Sequence, residues 1–152
     1  MALYELLLFV HVLAAATWFG AAVLSLALIE VAARAGERDF VVRLGHFDDA
    51  LAKGLFIPAA LLTLAAGIWL VFEGPWRFGD DGWVVAGLVL LVSVFVLGVG
   101  LIVPAGKRIA ELGATSGQEA ELAAAVDRLR VLSWIDVGLL VLAIFVMTVK
   151  PF

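Results

Sequence analysis

The chain has 152 residues, 64% of them hydrophobic, with no cysteine and a formal net charge of -4. So apolar a composition, against roughly one half in soluble domains, excludes an ordinary water-soluble globule. The missing cysteines exclude disulfides, thiolate metal sites and thiol catalysis, and the small, dispersed acidic charge offers nothing to nucleic acid.

Four stretches are uncharged or nearly so. They are Leu6 to Ile29, Gly54 to Phe72, Gly82 to Gly106, and Val131 to Val149, the last broken only by Asp136. Each reaches the roughly 18–20 residues that a helix needs to cross a ~30 Å hydrocarbon layer. Four core helices that are apolar all round would leave no polar face for water. The expected architecture is all-α: one integral membrane domain over residues 1–152, a four-helix transmembrane bundle with spans of about 3–33, 49–73, 82–106 and 118–150.

The first span opens after "MALYE", which lacks Lys and Arg, and its apolar run is too long for a signal peptide despite the "LAAA" it contains. It is expected to be a retained helix. Within "FVHVLAAATWFG" the one strongly polar group is His11, six residues past Glu5 and so roughly 9 Å below that edge of the membrane. A histidine in hydrocarbon needs a partner. Two readings stand: a ligand for haem iron or another transition metal, or a hydrogen bond to a neighbouring helix. Trp18 lies seven residues on, along the same helix face. Ala16 and Gly20, four apart, are small enough to permit close helix packing.

The first connection carries Arg34, Arg38, Arg43 and Lys53. It also holds His46, in "RLGHFDDALAKG", expected to be a solvated loop residue beside Asp48 and Asp49. His46 lies something like 20 Å or more from the level of His11, so one iron cannot take both. Pro58 falls near the start of span two, where a missing N–H is tolerated. The second connection, "EGPWRFGDDGW", has turn chemistry and Arg77 alone among basic residues. Gly87, Gly98 and Gly100 punctuate span three. The third connection carries Lys107, Arg108, Arg128 and Arg130. In it Ser116 precedes Glu119 by three residues, a capping-box spacing, which predicts a helix from about Gly117 running on into span four. No internal repeat or low-complexity segment stands out.

Lys and Arg decide orientation, so the first and third connections are expected in the cytoplasm and both termini outside. A cytoplasmic helical extension then precedes helix four. Tyr4, Trp69, Trp76, Phe78, Trp83 and Phe152 fall at the outer interface, as amphipathic rings prefer, and Trp134 at the inner one. Trp18, near mid-membrane, reads as packing. Asp136 lies fourteen residues before Lys150, about 21 Å deeper. With Glu30 it suggests either an ion pair at the inner rim, with Lys107, Arg108 or Arg34, or a proton path. Lys150, at the outer level of His11, Glu5 and Glu73, reads as a salt bridge or headgroup contact, or as an anion clamp beside a cofactor.

Three segments resemble a group of small bacterial membrane proteins: "HVLAAATWFGA", "IPAALLTLAAGIWLV" and the terminal "VMTVKPF". The group includes haem-containing, oxygen-independent protoporphyrinogen oxidases, copper-resistance-D-like proteins and an uncharacterised family of predicted integral membrane proteins. The resemblance covers most of the chain, in order. It implies a bacterial inner-membrane, multi-pass protein that binds haem b. His11, ahead of Trp18-Phe19, would be the axial metal ligand, with Trp18 and Lys150 beside the cofactor. The oxidases carry a further histidine where this chain reads "LALIEVAARA" and a basic residue where it reads "GWVVAGLVLL". The chain is therefore most similar to the uncharacterised members, and any enzymatic role would be that of a membrane oxidoreductase. Copper handling favours Met, Cys and His clusters, and this chain has two Met, two His and no Cys. The readings to weigh are a haem b-binding redox protein, a non-catalytic membrane subunit or scaffold, with a homodimer or another membrane protein as partner, and a small transporter using Asp136 or Glu30.

Because the chain has no native cysteine, Phe78→Cys and Ser116→Cys can be labelled singly in intact cells. The Lys/Arg bias predicts that Phe78→Cys reacts with an impermeant thiol reagent and Ser116→Cys is protected. The opposite pattern inverts the topology.

Overall fold

The structure is a computed structural model that describes residues 3–151, the side chain of Asp48 apart. Phe152, placed above among the interface aromatics, lies outside the described residues. The chain forms α1 (Leu3–Ala35), α2 (Arg38–Leu51), α3 (Ile57–Glu73), α4 (Gly82–Leu97), α5 (Val103–Gly113) and α6 (Glu119–Val149), and no strand is present among the described residues. A π-helical turn, Ala52–Phe56, joins α2 to α3, and another, Gly98–Ile102, joins α4 to α5. Four continuous rods result, Leu3–Ala35, Arg38–Glu73, Gly82–Gly113 and Glu119–Val149, each long and apolar enough to cross a membrane.

The architecture is the expected all-α bundle, and its surface is inverted relative to a soluble domain. Phe9, Leu24, Val31, Val89 and Phe72 are among many large apolar side chains left exposed, as lipid contact requires. The rods exceed the hydrocarbon. At 1.5 Å per residue α1 is roughly 50 Å long against a ~30 Å layer. The surplus lies at the end carrying Arg34, Arg38, Lys107 and Arg130, called here the basic end. The opposite, turn end carries the 74–81 connection.

The second rod begins at Arg38, well before the apolar run at Gly54, and the third runs to Gly113. The added segments α2 and α5 pack on each other and bury Val41 and Ile109. Pro58 therefore lies inside a rod and not near its start. Its ring removes one helical hydrogen bond and crowds the carbonyl four residues back, at Gly54. Pro104 stands in the same relation to Gly100. In both places the chain answers with the wider π turn. The sequences concerned, "GLFIP" and "GLIVP", are a short repeat at matching positions of spans two and three, which hydropathy alone passes over.

The packing order is α3 against α1, α1 against α6, and α6 against α4, while α3 and α4 meet only slightly. Spans two and three are thus tight at the basic end and splayed at the turn end. The tightness is glycine-dependent. A Cβ on Gly45 would sit 2.6 Å from the carbonyl oxygen of Gly106, and one on Gly113 would sit 2.4 Å from a Val42 methyl. The Ala16 and Gly20 pair does not play this part: both are exposed, with nothing near Gly20. Nor does Ser116 cap α6. Gln118 is the N-cap residue, without a side-chain cap bond, and Gly117 turns the chain at φ +88°.

Gly45→Ala should cost about 1–3 kcal/mol of stability, since backbone oxygen cannot yield as a side chain can. Gly20→Ala, with open space around it, should cost nothing. Thermal unfolding in one detergent tests the pair, and equal midpoints would contradict the pinning role.

Candidate functional site: two cavities divided by Trp18

At the turn end the splay of α3 from α4 leaves a cavity of about 520 Å³, within the ~300–1,000 Å³ typical of ligand sites. Its walls bring together His11, Trp18 and Lys150, the residues singled out in the sequence as cofactor neighbours. His46 is elsewhere, exposed on α2 at the basic end; it is helical, not in a loop.

His11 is half-buried, and its Nδ1 lies 2.8 Å from the backbone oxygen of Thr63 on α3. A carbonyl only accepts, so Nδ1 carries the proton and Nε2 keeps its lone pair. The Thr63 hydroxyl turns away to donate to the Ala59 oxygen at 2.8 Å. Gly67, one turn on from Thr63, makes room for the ring. A Cβ there would stand 2.9 Å from His11 Cε1. Of the two readings of His11, the interhelical bond is present, and it occupies only one ring nitrogen.

The mouth at the turn end is aromatic and cationic. Lys150 closes α6 in a left-handed conformation (φ 50°, ψ 62°), with its N–H donated to Val146. That conformation costs a non-glycine residue roughly 1 kcal/mol. It places Nζ 3.8 Å from the ring centre of Trp76 and 4.8 Å from that of Trp83. The two indoles meet edge to face at 5.1 Å. No salt bridge reaches Lys150 among the described residues, so its charge rests on ring faces. The turn that delivers Trp76 is fastened by the Arg77 N–H donating to Asp81 Oδ2 at 2.7 Å.

A second cavity, about 90 Å³, lies deeper, between α1, α6 and the two π turns. Trp18, 4% exposed, lines both cavities and forms the wall between them. Asp136 and Ser133 line the deeper one. The ion pair proposed for Asp136 is not there. Glu30 takes the basic partners instead, with Arg130 donating twice, at 3.0 and 2.9 Å, Trp134 Nε1 at 3.1 Å, and Arg34 at 3.5 Å. Lys107 pairs with Asp49 at 2.9 Å, and Arg108 with Glu111 and Glu121. Glu30 is thus a structural tie between α1 and α6, and Asp136 is left apart.

A family model described as "Predicted integral membrane protein (DUF2269)" matches residues 5–151. The chain belongs to this family. No curated protein and no solved structure matches the chain. The match takes in every lining residue of both cavities except Tyr4. Among the described residues no group of three or more His, Asp or Glu side chains is placed to hold a metal ion. A metal at His11 would therefore have to bring most of its own ligands, as a porphyrin does.

Histidine ring NMR tests the tautomer. The proton of His11 should be found on Nδ1. Gly67→Ala should move the His11 signals and leave those of His46 in place. A wild-type ring protonated on Nε2 alone would break the assignment.

Proposed function

We propose that this membrane protein carries haem b in the cavity at the turn end, with His11 Nε2 as axial ligand and Lys150 facing the propionates. The observation that supports it most is the Nδ1 bond from His11 to the Thr63 carbonyl. Metal-bound histidines almost always donate their other ring N–H to such an acceptor, which fixes the ring and raises its basicity. The cavity size, the glycine opposite the ring and the aromatic walls suit a flat macrocycle, and the single cation at the mouth suits its acidic edge. Haem would supply one-electron chemistry, and the role would be that of a redox protein of the bacterial inner membrane with both termini outside. Oxidation of protoporphyrinogen itself is not part of the proposal. The cavity has no second histidine, and its one lysine is at the mouth.

The second reading is transport, favoured by Asp136, which lines the deeper cavity without an ion-pair partner. A non-catalytic subunit is the reading left if both cavities prove inert.

Protein purified from haem-replete cells should show a Soret band. His11→Ala should abolish it, His46→Ala should leave it intact, and Lys150→Gln should weaken haem retention on washing. Protein that is colourless as isolated and after haem titration would sink the proposal.

A further inference from the structure

The hydroxyl side chains of a membrane helix normally donate to the carbonyl one turn back, because hydrocarbon provides no other acceptor. Thr17, Thr63, Ser93 and Thr148 all do so here, with oxygen–oxygen distances of 2.7–2.8 Å. Ser25 on α1 and Ser133 on α6 depart from the pattern: neither hydroxyl has a partner among the described residues, and both line the 90 Å³ cavity. Asp136 makes the third polar member. It is 7% exposed and faces the same cavity, with no hydrogen bond or ion pair to any described residue. An isolated carboxylate in apolar surroundings is costly and calls for a neutralising partner.

The walls point the same way. Both π turns border this cavity, through Ala52 and Phe56 on one side and Gly98 and Ile102 on the other. Widened helical turns cluster at functional sites. Glycine/proline interruptions at corresponding positions of two membrane segments mark ion and substrate sites in transporters. "GLFIP" and "GLIVP" are such a pair.

We infer that the cavity bounded by Asp136, Ser25, Ser133 and the two π turns is a binding site for a monovalent cation of sodium size. The donor set is oxygen only, which selects a hard cation over zinc or copper. One carboxylate and no other charged side chain line the space. A single positive charge is neutralised there, whereas a divalent ion would leave net charge in an apolar pocket. The carboxylate and two hydroxyls supply up to four oxygens. At ~30 Å³ per water, the 90 Å³ has room for the ion with one or two waters to complete its shell. The inference does not rest on haem at His11.

The test is thermal unfolding of the whole chain in detergent, with sodium, potassium or choline chloride at constant ionic strength. Sodium should raise the midpoint by several degrees over choline, saturably, and potassium should do so less. Asp136→Asn should lose the sodium effect. Ser25→Ala and Ser133→Ala keep the charge and should each raise the half-saturating sodium concentration by roughly fivefold. Should Asp136→Asn fail to fold, the two serine variants decide alone, and unchanged half-saturation in both overturns the site. Equal midpoints in sodium and choline overturn it too. So does an effect that survives in Asp136→Asn, or equal stabilisation by potassium. Stabilisation by acid alone, with no sodium effect, assigns the carboxylate a proton instead and overturns the cation.

Discussion

The close approach of Gly45 to the Gly106 carbonyl governs the rest of the molecule. Membrane helices gain little from burying apolar surface, because lipid is as apolar as protein, and backbone proximity must provide the attraction. Spans two and three find that proximity at the basic end, where Gly45 and Gly113 let α2 and α5 touch. Held there, the rods cross the π turns and diverge. The divergence keeps α3 from closing on α4, and the cavity at the turn end is the space between them. Its volume is thus set at the opposite end of the rods, by residues that do not line it.

The Glu30 carboxylate fixes the other pair. A guanidinium bound through two nitrogens has a defined plane, and Arg130 presents it to Glu30 across the α1–α6 contact while Trp134 adds a third donor. The register of α1 against α6 sets the relative heights of His11, Trp18, Asp136 and Lys150. The chemistry-bearing side chains of these two helices are therefore aligned by a contact at their far ends.

The four spans were legible because hydrocarbon imposes a length, and uncharged runs of that length have few other uses. Helix rise put Lys150 near the level of His11, and heptad spacing put Trp18 on the same helix face as His11, whereas their grouping beside a cofactor came from the family resemblance. Other features left no such trace. The continuation of span two below Gly54 is masked by Arg43, Asp49 and Lys53, although Val41 and Ala52 keep a buried face. The π turns follow from proline and glycine in a fixed relation, a signal of sequence pattern and not of hydropathy. Asp136 and Glu30 looked interchangeable by depth. Only the rotation of α1 and α6 about their axes gives Arg130 to one and the cavity to the other. Rotation depends on tertiary packing that no single helix encodes.

Trp18 is a partition with two faces. A rigid indole shared by two cavities makes their volumes complementary: a displacement that enlarges one reduces the other. Occupants on the two sides would then bind with linked free energies, and the linkage is reciprocal by thermodynamic necessity. Filling the deeper chamber would be felt at His11, and filling the cavity at the turn end would be felt at Asp136. A bundle of only four rods would in this way acquire communication between the halves of the membrane through one side chain.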